Sequence, residues 1–149
     1  MIAIIAAPFD PYLELSRWAG SDGEAGALAS FIGYCRADGG VTALELEYYP
    51  GFTESEIARA ADLVARAHQL LSYLVIHRVG AIPVGEPIVL AAAFSRHRVA
   101  AFKAVEALMD VLKTDAPIWK RELRPEGARW IEPSLEDRAR RAGHGGDQT

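Results

Sequence analysis

Cysteine is almost missing from this chain: Cys35 is the one thiol among 149 residues. A lone thiol excludes an intramolecular disulfide and any thiolate-rich zinc site, so a reducing cytoplasm is the expected compartment. No glycine-rich phosphate loop of the P-loop or dinucleotide type occurs. His97 stands between Arg96 and Arg98, whose charge opposes a divalent ion, and no carboxylate or second histidine lies at ligand spacing from it, so no metal is expected. No apolar run reaches the roughly 20 residues of a membrane helix. Met1 to Ala7 is too short for a secretory h-region and lacks a basic n-region, which again leads to the cytoplasm. Positive charge is also in deficit, with a formal net charge of -4, which argues against a general nucleic-acid surface.

What is present is an ordinary globular mixture, 50% apolar and 24% charged, far from a disordered composition. A chain of this size fits one domain that buries roughly 68–70% of its unfolded surface. That domain is expected over residues 1–132. From Pro133 onward the sequence is charged, Gly-rich and without apolar periodicity, so 133–149 is expected to be a flexible tail.

Local patterns predict the elements. Met1 to Ala6 suits a strand, and Asp10-Pro11 supplies an N-cap and first residue for a short helix through Trp18. Ala25 to Arg36 reads as a strand, and Asp38-Gly39-Gly40 as the turn of a hairpin into Val41 to Tyr49, where Leu44, Leu46 and Tyr48 alternate with Glu45, Glu47 and Tyr49. Thr53 and Glu56 form a capping-box pattern ahead of a helix to about Leu71. Tyr73 to Val79 and Ile88 to Phe94 read as strands joined by a Gly- and Pro-rich excursion. Ser95 can cap a helix with Val99, Phe102, Val105, Met109 and Leu112 on its core face, which Pro117 stops. Ile118 to Leu123 and Ala128 to Ile131 are two last strands. The order predicts α+β with mainly antiparallel sheets and two principal helices.

On this acidic body His97, Arg98, Lys113, Lys120 and Arg121 gather between Ser95 and Glu122. A helix from Ser95 separates His97 and Arg98 from Lys113 by about 22 Å at 1.5 Å per residue, so the helix alone cannot bring them to one site. Pro117 turns the chain back. If Ile118 to Leu123 is extended, Lys120 shares a face with Ile118 and Glu122 while Trp119 and Arg121 point the other way. Lys113 and Lys120 can then converge beside the bend, whereas His97 and Arg98 reach the same pocket only through a dimer partner or a neighbouring strand end. Two ammonium groups about 6 Å apart at an effective dielectric near 20 repel by on the order of 2.8 kcal/mol, or about two pKa units. One lysine could then serve as a base; beside an anion it would keep its charge and act as a clamp.

The segments Phe31-Ile32-Gly33 with Arg36, Leu46-Glu47-Tyr48-Tyr49, Ile76-His77-Arg78-Val79-Gly80, Val84-Gly85-Glu86, Ser95-Arg96-His97-Arg98, Leu112-Lys113-Thr114 and Ala116-Pro117-Ile118-Trp119-Lys120-Arg121-Glu122, in this order, resemble the MoaE family, the large catalytic subunit of molybdopterin synthase. The resemblance implies an α/β-hammerhead type of α+β fold. It also implies sulfur transfer to cyclic pyranopterin monophosphate, forming the dithiolene of molybdopterin in molybdenum cofactor biosynthesis. The sulfur arrives as the Gly-Gly thiocarboxylate of a small ubiquitin-like subunit, and two large subunits form a homodimer within a heterotetramer. No cofactor is implied. Carried over by position, Lys113 and Lys120 match the two essential lysines, Arg36 a strand-end arginine, and His97 and Arg98 a substrate-contacting pair. Lys120, Arg121 and Glu122 match a second substrate-binding run. Tyr34 and Cys35 complete the first run, where the family commonly has a basic residue and a valine. The chemistry agrees, since both substrates are anions and arginine gives bidentate recognition of phosphate while lysine can switch between ammonium and amine.

Each residue also has a plainer reading. Lys113 can be a helix C-terminal lysine favoured by the macrodipole, and Lys120 and Arg121 the solvated face of an edge strand. His77 reads as a hydrogen-bonded core histidine, Cys35 as a small buried hydrophobe, and Phe31, Trp119 and Trp130 as core aromatics. Two other functions compete: a non-catalytic dimeric adaptor that docks a ubiquitin-like protein, and a regulatory domain for a phosphorylated metabolite.

Overall fold

The structure, a computed structural model, describes residues 1–20, 23–132 and positions 135 and 139. The expected tail over 133–149 lies outside the described residues apart from those two positions. Two four-stranded sheets carry the fold. The first runs β1 (Ile2–Ile5), β4 (Ser72–Arg78), β6 (Pro87–Ser95), β2 (Ala27–Tyr34), with β1 parallel to β4 and the other pairs antiparallel. The second runs β5 (Gly80–Pro83), β3 (Ala43–Tyr48), β7 (Ile118–Arg124), β8 (Gly127–Ile131), antiparallel throughout. Three helices complete it: α1 (Pro11–Trp18), α2 (Phe52–Ala67) and α3 (Arg98–Thr114). The α+β class and the mainly antiparallel pairing are as the sequence predicts. No helix among the described residues is long and apolar enough to cross a membrane.

Strand alternation divides the core between the two faces of the first sheet. Leu74, Ile76, Leu90 and Ala92 pack on the side of α1 with Leu15 and Trp18. Val75, Val79, Val89, Ala91 and Ala93 point the other way, into the larger core with α2, α3 and the second sheet. In α1 the expected cap forms: the Asp10 carboxylate accepts from the amides of Tyr12 at 2.9 Å and Leu13 at 3.2 Å.

Four local expectations change. Asp38–Gly40 is a 3-10 turn and not a hairpin, because β2 pairs with β6 and β3 with β5 and β7, so the turn carries the chain from one sheet to the other. The α2 box uses Glu54, whose Oε2 accepts from the Gly51 amide at 2.6 Å, while Glu56 pairs with Arg59 one turn on. That helix ends at Ala67, since Gln69 takes a φ of 50° and the Leu71 amide donates to Phe94 as the chain enters β4. The core face of α3 keeps Val105 and Leu112 of the predicted stripe, with Met109 packed against the core, but loses its first half: Val99 and Phe102 are 59% and 68% exposed, and Ala101, Ala104, Leu108 and Val111 are buried instead. Ala91 and Ala93 on the sheet share one buried cluster with Ala101 and Ala104 of the helix, and small side chains on both surfaces let helix and sheet approach closely.

Candidate functional site

The second sheet and the C-terminal half of α3 close over the end of the first sheet around one cavity of about 640 Å³. Its apolar walls come from Ile32 on β2, Leu46 on β3, Ile88 and Val89 on β6, and Met109 and Leu112 on α3. Its polar groups are Tyr34, Arg36, His77, Lys113, Lys120 and Glu132. Lys113 stands in the last turn of α3, and Asp115 closes that helix with its amide on Val111 at 2.8 Å. Pro117 then reverses the chain, so that Ile118 and Lys120 of β7 face the cavity that Lys113 also faces. The reversal is tied to α2: the Thr53 hydroxyl donates to the Pro117 carbonyl at 3.1 Å and accepts from the Tyr49 amide at 3.0 Å, fully buried.

On the opposite wall, β2 slips register between Gly33 and Tyr34, opposite Val89 and Pro87 of β6. Such a bulge bends a strand and re-aims the residues beyond it, here Tyr34 and Arg36. Gly33 is needed at the bulge, because a Cβ there would lie 2.8 Å from Val89 Cγ1. Arg36 pairs with Asp38 at 2.9 Å in an exposed ion pair. A hydrogen bond with Tyr12, with some desolvation, pushes the Tyr34 phenol above its usual pKa.

Of the residues singled out in the sequence, Tyr34, Arg36, Lys113 and Lys120 line this cavity. The others are elsewhere. His97 is the N-cap of α3 and Arg98 its first residue, at the end of the helix away from Lys113. Arg121 is on the outer face of the second sheet, bonded to Glu45 at 2.5 Å with its guanidinium 5.2 Å from the Trp130 ring centroid. Glu122 is paired with Arg124 at 2.6 Å. Cys35 is 2% exposed, and burial raises its thiol pKa above the ordinary range despite a backbone bond and the nearby Lys120 charge. Trp119 and Trp130 are half exposed and not core, at 44% and 54%, because no layer among the described residues covers the outer face of β7 and β8.

Phe31, His77, Met109 and Glu132 belong to the cavity but were not among the sequence candidates. The available signal for Phe31 was its place in the strand segment that leads to Tyr34 and Arg36, all of whose residues from Phe31 to Tyr34 line the cavity. Among the described residues, no group of three or more His, Cys, Asp or Glu is arranged to hold a metal ion.

Two four-stranded sheets, three helices and a cavity whose polar groups include Arg36, Lys113 and Lys120 define the class, an α+β protein with a cationic pocket. A family model described as MoaE protein matches residues 4–115. The chain is 45% identical over 139 residues to the molybdopterin synthase catalytic subunit of Caulobacter vibrioides, covering 93% of each chain. The solved structure of the molybdopterin biosynthesis MoaE protein from Burkholderia ambifaria superposes with a TM-score of 0.82 at 38% identity, covering 97% of each chain. A chain in the complex of subunits 1 and 2 of molybdopterin-converting factor from Helicobacter pylori shares the fold, with a TM-score of 0.73 at 19% identity over 87% of this chain and 89% of that one. This chain belongs to the MoaE family.

Proposed function

We infer that the chain transfers sulfur to cyclic pyranopterin monophosphate and so forms the molybdopterin dithiolene, the activity for which its relatives are named. Sulfur comes from the C-terminal thiocarboxylate of a small ubiquitin-like subunit, and the Helicobacter pylori complex, which holds both subunits of its converting factor, supports such a partner. The observation that carries this reading is the meeting of Lys113 and Lys120 on one cavity from the two sides of the Pro117 bend. A thiocarboxylate and a phosphate ester are both anions, and two ammonium groups on the wall of one cavity attract them more strongly than the same pair in bulk water.

In this reading the two lysines position the thiocarboxylate and handle protons as its sulfur attacks the pterin-derived carbon. Arg36 faces the phosphate at the cavity mouth, beside Tyr34. His97 and Arg98 lie a helix length away, so they serve a site only across a two-fold axis, in a homodimer that carries a small subunit at each end. Arg121 and Glu122 support the lysine strand from their ion pairs with Glu45 and Arg124. Cys35 is a packing residue here, and a cytoplasmic location suits its reduced, buried thiol.

Reconstitution with thiocarboxylated small subunit and the pterin precursor, read as dithiolene formed, tests the reading. Lys113→Ala and Lys120→Ala are each expected to lose about 10²-fold or more in turnover while still binding the small subunit. Near-native turnover in both variants removes both roles. Lost partner binding, with no dithiolene from the parent chain, points to a docking adaptor instead.

A further inference from the structure

One wall of the cavity carries a titratable group that the proposed chemistry leaves idle. His77 is only 8% exposed, yet it lines the cavity. Its place follows from alternation along β4: Leu74 and Ile76 face the α1 side, Val75 and Val79 the other, and His77 shares their parity. Nδ1 lies 2.9 Å from the Arg78 carbonyl oxygen. A carbonyl only accepts, so Nδ1 bears the proton and donates, and Nε2 is left as a bare acceptor on the other edge of the ring.

The ring also stays neutral. Burial foremost pushes the His77 pKa down to about 4, opposed by the bond to the Arg78 carbonyl and aided by a lesser effect of the Lys120 charge. The charged groups that share the cavity are Lys120 on β7, Lys113 at the end of α3, Arg36 beyond β2 and Glu132 beyond β8. Lys120 is the one whose charge acts on the imidazole.

We propose that His77 is a positioning residue for Lys120: its Nε2 accepts a hydrogen bond from the lysine ammonium and holds that nitrogen inside the cavity. The proposal rests on the sulfur-transfer reading for its functional meaning. A carboxylate in the same place would orient the lysine too, but it would cancel the positive charge and repel an anionic substrate. A neutral acceptor orients the ammonium and leaves the field of the cavity intact.

Nitrogen-15 NMR of the imidazole in the full chain gives a test that does not depend on activity. Between pH 5.5 and 8 the ring is expected to hold one neutral Nδ1–H tautomer, and Lys120→Ala is expected to move the Nε2 resonance downfield while leaving Nδ1 in place. An Nε2–H tautomer, or an Nε2 signal indifferent to Lys120→Ala, overturns the proposal. In the reconstituted assay, His77→Phe is expected to lower kcat by about tenfold or more with little change in KM, and to move the lysine limb of the pH–rate profile to lower pH. His77→Gln, which offers an amide oxygen in place of Nε2, should recover most of both. Equal losses in the two variants count against positioning. A parent chain that forms no dithiolene strikes the sulfur-transfer reading, whereas the NMR outcome strikes only the role of His77.

Discussion

Thr53 holds the lysine bend with one hydroxyl, which accepts from Tyr49 and donates to Pro117 in a fully buried position. Replacing it with isosteric valine keeps the volume and leaves both partners unsatisfied, so Thr53→Val is expected to cost about 2 kcal/mol in denaturant unfolding. His77 makes a second prediction, about acid. Its pKa falls from 6.5 to about 4 on folding, so the unfolded chain takes up the proton that the folded chain refuses. The associated stability is intact above pH 6.5 and is lost as pH falls toward 4, amounting to roughly 3 kcal/mol. His77→Gln should therefore show a flatter loss of unfolding free energy across that window, and an unchanged acid limb would contradict it. The sequence marks His77 only as a core histidine, because neither its tautomer nor the approach of Lys120 from another sheet is a local property.

Elements whose ends are fixed by neighbouring residues are legible in the sequence. The Asp10-Pro11 start of α1 is one, since cap and amides are two and three residues apart. The first half of the α3 core face is the opposite case: Val99 with Phe102, and Ala101 with Ala104, both satisfy helical periodicity. Contact with Ala91 and Ala93, which the helix cannot announce by itself, selects the second. The entry to α3 is equally tight. A Cβ on Gly26 would lie 2.3 Å from the Arg96 carbonyl oxygen, and the Gly26 amide bonds Ser95 at 3.1 Å. Gly26→Ala must push β2 away from the α3 N-terminus, at a cost of about 1–3 kcal/mol seen as a lowered melting temperature.

At the scale of the whole molecule, α3 keeps His97 and Arg98 apart from the cavity of their own chain, so their proposed role demands a second copy. Lys120→Ala and Arg98→Ala chains are each expected to be nearly inactive alone. Co-expressed, they should regain about a quarter of native turnover, since half the dimers are mixed and each mixed dimer has one intact site. No recovery in a verified mixed dimer would place both residues in the same chain's site, or Arg98 in none. The sequence by itself determined the α+β class, the helices and the strands among the described residues except β5, which lies in the Gly- and Pro-rich excursion, the bend at Pro117 and the cationic residues on either side of it, because periodicity, capping and proline act over a few residues. Only the tertiary structure decided that β2 and β3 enter different sheets, that Lys113 and Lys120 face one cavity with His77 beside them, and that Arg121 turns outward to Glu45 and Trp130. Those outcomes depend on which distant strands pair and which faces bury together, and no local pattern encodes that choice.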